Sequence, residues 1–257
     1  MLLTYDGRLL HGWQKQHPPG QAPLRTVEGV LEECLRPLVA QRIKFFPAGR
    51  TDAGVSATGQ VVQFMAILAD DTLPQLADRF NKALPQEVRC LDVGAAPKGF
   101  EVTACKWKRY IYTITPADAT NAVLNAGGCG ALDVGAMRAA AGRLLGTHDF
   151  ASFQSKGGRV TTTRTLYRCD VDAEPQADLL RFTLEGDGFL YNMVRIVVGT
   201  ILEVGLRERE PTSVDAVLQA ADRSSAGPTM PAAGLTLDHV EYEREHEAVA
   251  ALQQTLV

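Results

Sequence analysis

The sequence predicts an α+β fold made of two related halves. Three observations lead to this prediction: the chain has 257 residues, 46% of its residues are apolar, and one order of elements is read twice along it. A chain of this length lies at the upper edge of what one hydrophobic core supports, and its apolar content is sufficient for a sizeable core. No segment is polar or repetitive enough to indicate disorder.

The first half reads βαββαβ, which is the split βαβ or ferredoxin-like order. A helix from Thr26 to about Val39 is predicted because Thr26 is a suitable N-cap and apolar residues recur at the spacing of one buried face. Pro37 is expected to bend or end this helix. A second helix is predicted from Thr72 to Leu84. The predicted strands are Leu2 to Asp6, Arg42 to Pro47, Gln60 to Met65 and Val88 to Val93.

The second half repeats this order with one helix added. Its predicted strands are Lys108 to Ile114, Arg164 to Val171, Leu179 to Glu185 and Leu237 to Tyr242. Its predicted helices are Asp133 to Leu145, Phe189 to Val204 and a shorter one from near Ser213. The two series predict domains of residues 1–103 and 104–257, with a cleft between them.

The cysteines and histidines argue against a metal or nucleotide cofactor. The five cysteines lie at least 15 positions apart, so they form neither a CxxC site nor a disulfide framework. The five histidines include no HxxxH pair, and no Gly-rich run ends in Gly-Lys-Ser/Thr. With no leader pattern at the N-terminus and no apolar stretch of bilayer length, the sequence predicts a soluble protein of the reducing cytoplasm.

The net charge of -4 and the pI of about 5.8 argue against indiscriminate nucleic-acid binding. Local clusters of basic residues therefore decide whether the chain has a nucleic-acid surface. One cluster is Lys106-Trp107-Lys108-Arg109, and a looser one consists of Lys156, Arg159, Arg164 and Arg168.

A short loop flanked by glycines carries the strongest chemical signal. Gly49 and Gly54 bracket Arg50-Thr51-Asp52-Ala53, and glycine permits the tight conformations that bring a backbone close to a large ligand. In a near-extended segment Arg50 and Asp52 project to the same side. An isolated aspartate in such a turn most often caps its own backbone, so the motif alone leaves a structural role open.

The segment from Gly49 to Val62 resembles the catalytic loop of TruA-type tRNA pseudouridine synthases, and further segments resemble this family in the family order. They are Tyr5-Asp6-Gly7, Gly12-Trp13-Gln14, Leu84-Pro85, Val88-Arg89, Lys108 to Tyr112, Gly146 to Phe150, Met193-Val194-Arg195, and Ala226 to Thr229 with Gly234-Leu235. Two features depart from the family: the N-terminus starts very close to the first strand, and Glu101 to Ala104 replaces a more polar and basic stretch.

The resemblance implies a pseudouridine synthase fold, in which two ferredoxin-like halves join mainly antiparallel sheets around a central RNA-binding cleft. It also implies isomerisation of uridine to pseudouridine in the anticodon stem-loop of tRNA, at positions 38, 39 and/or 40. The implied enzyme is a homodimer that uses no cofactor.

The resemblance also implies roles for individual residues. Asp52 is the expected nucleophile, and attack at C1′, addition at C6 and a glycal route all stay open for it. Arg50 is expected to flip the base out of the stack. Tyr110 is expected to stack on the uracil and is a candidate for removing the C5 proton. Arg195 lies in an apolar helix, where a charge needs a partner, and the implied partner is Asp52.

Further residues are expected to bind the substrate. Strand alternation puts Lys106, Lys108 and Tyr110 on one face of a strand and Arg109 on the other. The predicted substrate-binding residues are Lys106, Lys108, Arg109, Phe189 and Leu190.

Other classes of function remain as alternatives. The chain could be a pseudouridine synthase of the same family that acts at other tRNA sites. A non-catalytic tandem ferredoxin-like RNA-binding protein would carry exposed aromatic residues on its central strands, and the RNP1-like pattern of such proteins is absent from the sequence. A nucleoside hydrolase or glycosidase normally uses two carboxylates or a metal, and no second carboxylate has a motif of its own.

Overall fold

The computed structural model describes residues 1–38, 43–66, 75–115, 131–174 and 178–243. The chain forms two compact units, one of Met1–Lys106 with the chain from Thr236 onward, and one of Trp107–Leu235. The predicted fold class is confirmed: the protein is α+β, and its strands pair mainly antiparallel. The division into domains of residues 1–103 and 104–257 stays a prediction.

The first unit contains five strands and two helices among the described residues. They are β1 (Leu2–Tyr5), α1 (Val27–Leu35), β2 (Phe45–Pro47), β3 (Ser56–Phe64), α2 (Leu76–Ala83), β4 (Val88–Asp92) and β9 (Leu235–Glu241). Strand β1 pairs antiparallel with β3 and β4, and β2 pairs antiparallel with β3. Strand β9 joins β3 in parallel, with Ser56 opposite Thr236. The last strand of the chain therefore belongs to the sheet of the first unit.

Buried apolar side chains explain why α1 and α2 form where they do. Thr26 caps α1 by accepting a hydrogen bond from the amide of Gly29, as the sequence predicted. The helix buries Leu31 and Leu35, and α2 buries Leu76 and Phe80. Because these side chains are almost fully removed from water, they supply the core of the first unit.

The second unit contains an antiparallel sheet and three helices among the described residues. The elements are β5 (Trp107–Ile114), α3 (Val134–Gly142), β6 (Gly146–Asp149), β7 (Thr163–Glu174), β8 (Leu179–Gly186), α4 (Met193–Gly205) and α5 (Ser213–Ala220). The strand order is β5-β8-β7-β6. Helix α3 packs on β7 and on α4. Nearly every side chain of α4 is buried, with Arg195 and Glu203 as the half-buried exceptions.

Several predicted boundaries were wrong, each for a local reason. Helix α1 ends at Leu35, and Pro37 follows in a short 3-10 turn. The described part of the second predicted helix begins at Leu76, and its predicted start at Thr72 lies outside the described residues. Arg42, the predicted start of the second strand, also lies outside them. Helix α4 begins at Met193 rather than Phe189, because Asn192 has a left-handed φ of 62° that breaks the helix.

Candidate active site

The predicted site residues divide between the two units. Arg50, Asp52 and Lys106 belong to the first unit. The second unit contains Lys108, Arg109, Tyr110, Phe189, Leu190 and Arg195.

The loop that carries Arg50 and Asp52 connects β2 to β3 and is fixed at its start by a buried glutamine. The Gln60 side chain is fully buried, and its Nε2 donates a 2.6 Å hydrogen bond to the carbonyl of Gly49. The amide of Gly49 donates back to Gln60 Oε1 at 3.4 Å. A single side chain thus satisfies both backbone groups of the residue that precedes Arg50.

A buried tyrosine holds the middle of the same loop. The hydroxyls of Tyr5 and Thr51 lie 2.8 Å apart, and Gln60 Nε2 donates to the Tyr5 hydroxyl at 3.3 Å. Burial raises the pKa of Tyr5 to about 12, so its hydroxyl stays protonated at neutral pH. Asp52 therefore follows a residue that is anchored to the interior of the sheet.

The segment from Leu10 to Trp13 supports the other side of the loop. The amide of Trp13 donates to the Thr51 carbonyl at 2.9 Å, and the amide of Gly54 donates to the Leu10 carbonyl at 3.2 Å. Gly12 has a φ of 84°, and a Cβ there would lie 2.9 Å from the Thr51 carbonyl oxygen. Only glycine fits this close approach. The result is a fixed loop on which Asp52 is half-buried and Arg50 is exposed.

Arg50 also lines a cavity of about 250 Å³ within the first unit. Lys44, the half-exposed Phe46, Glu28 and Glu32 also line it. The lining of this cavity therefore carries both signs of charge.

In the second unit, Tyr110 and Phe189 come together. Tyr110 on β5 is 8% exposed, and its ring meets that of Phe189 edge to face at a centroid distance of 4.9 Å. Leu190 is buried beside Phe189 in the chain. Tyr112, two positions from Tyr110, donates a hydrogen bond from its hydroxyl to the carbonyl of Pro231 at 2.9 Å.

The basic cluster at the start of β5 is spread over both faces of the strand. Arg109 lies on the face opposite Tyr110, where its Nε donates to Glu185 at 2.7 Å and its guanidinium lies 5.3 Å from the centroid of the Trp107 ring. Lys108 is half-buried on the Tyr110 side of the alternation. Lys106 is exposed, with its Nζ 3.7 Å from a carboxylate oxygen of Glu243.

Arg195 lies in the first turn of α4 and is held by two contacts. Its Nε donates to the carbonyl of Met230 at 2.5 Å, and its Nη1 donates to Asn192 Oδ1 at 2.7 Å. Asn192 in turn donates from Nδ2 to the Ser155 hydroxyl at 2.9 Å. These contacts fix the direction of the guanidinium within its unit. The expected pairing of Arg195 with Asp52 stays a prediction.

Several residues that build the site had no role in the sequence prediction. Tyr5, Gly12 and Gln60 lay in segments that resemble the family, but only the structure connects them to the Asp52 loop. In the sequence, nothing marked Asn192 as a site residue apart from its position three residues before Arg195. Among the described residues there is no group of three or more His, Cys, Asp or Glu side chains placed to hold a metal ion. In the same part of the chain, no helix has the length and apolarity needed to cross a membrane.

Comparison with known proteins identifies the class to which the chain belongs. A family model described as tRNA pseudouridine synthase matches residues 140–243. Enzymes of this class are isomerases, because they rearrange a uridine without adding or removing atoms.

Curated relatives match almost the whole chain. The tRNA pseudouridine synthase A of Geobacillus kaustophilus is 40% identical over 251 residues, which cover 95% of this chain and 94% of the relative. The protein of the same name from Frankia casuarinae is 40% identical over 98% of this chain and 92% of its own length. That from Thermotoga neapolitana is 38% identical over 91% and 95%, respectively. The chain therefore belongs to the tRNA pseudouridine synthase A family.

Proposed function

We propose that this enzyme isomerises uridine to pseudouridine in tRNA and that Asp52 is its catalytic carboxylate. The observation that carries the proposal is the fixed loop, which holds Asp52 half-buried between anchored neighbours in a chain of this family. A catalytic group has to be held within a fraction of an ångström of its working position, and buried hydrogen bonds at its neighbours supply that restraint.

The proposed reaction requires only acid, base and nucleophile chemistry. The C1′–N1 glycosidic bond breaks, the uracil turns, and a C1′–C5 bond forms, while the C5 proton leaves and N1 gains a proton. The atoms and electrons balance without a redox partner or an energy source. A carboxylate serves each of the three routes, by adding to C1′, by adding to C6 of the base, or by removing a sugar proton in the glycal route.

The other residues are proposed to prepare the base for this step. Because the target base is stacked in RNA, it has to leave the stack, and the exposed guanidinium of Arg50 is suited to take its place. Tyr110 and Phe189 are proposed to hold the extruded uracil, with Leu190 as an apolar wall. Tyr110 is also the candidate for removing the C5 proton. Arg195 is proposed to keep Asp52 ionised and oriented.

The basic residues at the start of β5 are proposed to bind the substrate backbone. Lys106 is exposed and Lys108 half-exposed, so both are suited to contact phosphate. Arg109 already binds Glu185, and its contribution would therefore require that ion pair to be shared or exchanged.

The proposed substrate site is the anticodon stem-loop, at positions 38, 39 and/or 40 of the tRNA. The proposed enzyme is a homodimer of the cytoplasm. These details rest on the family resemblance, and the competing proposal is that an enzyme of the same family modifies other tRNA uridines.

The Asp52→Asn variant tests the proposal, because it removes the charge and the nucleophile with almost no change in shape. With tRNA labelled with tritium at C5 of uridine, the wild type is expected to release tritium without added metal or nucleotide, and Asp52→Asn to release none. Asp78→Asn, on the exposed side of α2, is the matched control and is expected to behave as wild type. Wild-type release by Asp52→Asn would reject the assignment.

The position of the modified uridine is tested separately with chemical mapping of pseudouridine. Transcripts with cytidine at position 38, 39 or 40 are expected to lose release in proportion to the uridines removed. Undiminished release from a transcript that lacks uridine at all three positions would favour other tRNA sites.

A further inference from the structure

The loop that precedes β7, taken together with the first two residues of that strand (residues 154–164), is a concentrated source of positive charge. Its sequence, Gln-Ser-Lys-Gly-Gly-Arg-Val-Thr-Thr-Thr-Arg, contains three cations and no acidic residue. Lys156, Arg159 and Val160 are exposed, and Val160 is completely so. The loop thus concentrates positive charge at the surface without acidic residues of its own.

The cations of this loop differ in their ion pairing from most other arginines of the unit, although the described contacts of Arg195 and Arg223 are also with uncharged oxygens. Each of the following binds a carboxylate of the same unit: Arg109, Arg138, Arg143, Arg168, Arg181, Arg207 and Arg209. By contrast, no carboxylate of the described residues lies within ion-pair distance of Lys156, Arg159 or Arg164. Arg168, which the sequence grouped with these three, is instead bound to Asp170 and Glu185.

The arrangement of Arg159 and Arg164 favours an anion. Burial and the nearby charge of Arg159 lower the pKa of Arg164, and the opposing effect of Asp187 is smaller. Two guanidinium groups that are close enough to repel each other cost free energy in the unbound protein. An anion that contacts both groups would remove this repulsion.

The loop is held in shape by its own hydrogen bonds. Gln154 binds both backbone groups of Arg159, donating from Nε2 to its carbonyl at 2.9 Å and accepting from its amide at 2.8 Å. Arg164 donates from Nη1 to the carbonyls of Thr161 and Thr163, at 3.2 and 2.6 Å. The cations are therefore presented on a formed surface, and little ordering entropy has to be lost when an anion binds.

The same loop is attached to residues that are proposed to hold the uracil. The amide of Ser155 donates to the Tyr191 carbonyl at 3.1 Å, and the Ser155 hydroxyl accepts from Asn192, which binds Arg195. The side chain of Arg164 packs over Gly188, where a Cβ would lie 3.3 Å from Arg164 Nε. Gly188 directly precedes Phe189, so Arg164 lies beside that group of residues.

We propose that Lys156, Arg159 and Arg164 bind the phosphate backbone of the substrate RNA next to the uridine that is modified. The proposal rests on the proposed function for the identity of the RNA, and on the loop itself for the phosphate contacts. Guanidinium forks, exposed threonine hydroxyls and the half-exposed ring of Tyr191 suit phosphates and ribose.

The salt dependence of RNA binding tests this surface. We compare the wild type with Lys156→Gln/Arg159→Gln, leaving Arg164 in place because it shapes the loop. Each phosphate contact adds about 0.7 to 0.9 to the slope of log K against log salt concentration. The double variant is therefore expected to lower that slope by about 1.4 to 1.8 and to weaken tRNA binding about tenfold near physiological salt.

Arg138→Gln/Arg181→Gln is the matched control. It removes the same charge from two exposed arginines that are already ion-paired, with Asp172 and Glu174. Its slope is expected to equal that of the wild type, because neither residue belongs to the proposed contact surface. An equal slope in the loop variant and in this control would overturn the proposal. Thermal unfolding of both variants verifies that the fold is intact.

The location of the contacts is tested with an isolated stem-loop that contains the target uridine. The loop variant is expected to show the same decrease in salt-dependence slope on the stem-loop as on the whole tRNA. A loss seen only with whole tRNA would overturn the placement beside the uridine. A wild type that binds RNA through the loop but releases no tritium would reject the proposed function and leave this surface standing.

Discussion

At the scale of single residues, the Asp52 loop depends on a few buried polar side chains in the first unit. Tyr5, Thr51 and Gln60 form a connected set of hydrogen bonds, and all three are less than 9% exposed. Buried polar groups of this kind are costly when a partner is lost, so they hold the loop in one conformation. Their proposed effect on catalysis is indirect, because they act through the position of Asp52.

Tyr5→Phe isolates this effect, since it removes only the hydroxyl that meets Thr51 and Gln60. We expect the free energy of unfolding to fall by about 1 kcal/mol. We also expect kcat to fall by about ten- to a hundredfold, with little change in KM for tRNA, because the loop loses its anchor and Asp52 its position. Urea unfolding and single-turnover tritium release measure the two quantities.

Tyr242→Phe provides the comparison within the same unit. The Tyr242 hydroxyl is also buried and donates to the Val102 carbonyl at 2.6 Å, so its loss should cost similar stability. Its kcat is expected to equal that of the wild type. Equal kcat values for the two variants would show that the Tyr5 contact has no part in positioning the loop.

The sequence could locate Asp52 but not the residues that hold it. A carboxylate between two glycines is visible in a window of six residues, whereas Tyr5 is 46 positions from Thr51 and 55 from Gln60. Contacts at such separations depend on strand register, which periodicity in one sequence does not specify. In the same way, the apolar helix predicted an enclosed Arg195, but nothing predicted its contacts with Met230 and Asn192.

At the scale of elements, the strongly periodic segments were predicted well and the polar ones were missed. Strand β8 differs from its prediction only at Gly186, because the apolar residues Leu180, Phe182 and Leu184 are buried at alternate positions. Strand β6 was missed, since Gly146-Thr147-His148-Asp149 is short and polar and is a strand only through its pairing with β7. The start of α4 was predicted too early because Phe189 and Leu190 extend the apolar pattern of the helix toward the N-terminus. The left-handed backbone of Asn192 prevents the helix from starting before Met193.

The turn that starts α4 gives a prediction for Asn192. Asn192→Gly keeps the left-handed backbone accessible but removes the side-chain contacts with Ser155 and Arg195. We expect kcat to fall about tenfold because Arg195 is less well positioned, while KM for tRNA stays within a factor of about two because the Ser155 amide still attaches the basic loop to Tyr191. Steady-state kinetics of tritium release distinguish these two constants.

Ala221→Gly is the matched control for this backbone effect. Ala221 follows α5 with a φ of 47°, a conformation that costs an alanine about 1 kcal/mol relative to glycine. The control is therefore expected to gain about 0.5 to 1 kcal/mol of stability and to keep its kcat. A wild-type kcat in Asn192→Gly would contradict the positioning role.

At the scale of the whole molecule, the acidic pI and the RNA substrate are compatible because opposite charges are paired locally. In the second unit most arginines are neutralised by carboxylates, so the loop around Lys156 and Arg159 stands out from a surface of balanced charge. A net charge of -4 weakens indiscriminate attraction to nucleic acid while leaving a short-range site for phosphate. This distribution of charge is expected to favour RNA binding at one surface of the protein over binding elsewhere on it.

The buried acids of both units predict how the stability of the whole protein depends on alkaline pH. Burial raises the pKa of Cys90 in the first unit and of Cys169 in the second from 9.0 to about 12. Above pH 9 the unfolded chain loses these protons while the folded chain retains them until about pH 12. The free energy of unfolding should therefore fall as pH rises through this range, by up to about 1.4 kcal/mol per pH unit for each thiol.

Urea unfolding between about pH 8 and 10.5 measures this dependence of the free energy of unfolding on pH. For Cys90→Ala/Cys169→Ala, the decrease in the free energy of unfolding per pH unit above pH 9 is expected to be smaller than in the wild type by about 2 kcal/mol. A decrease equal to that of the wild type would mean that these thiols do not stay protonated in the folded protein.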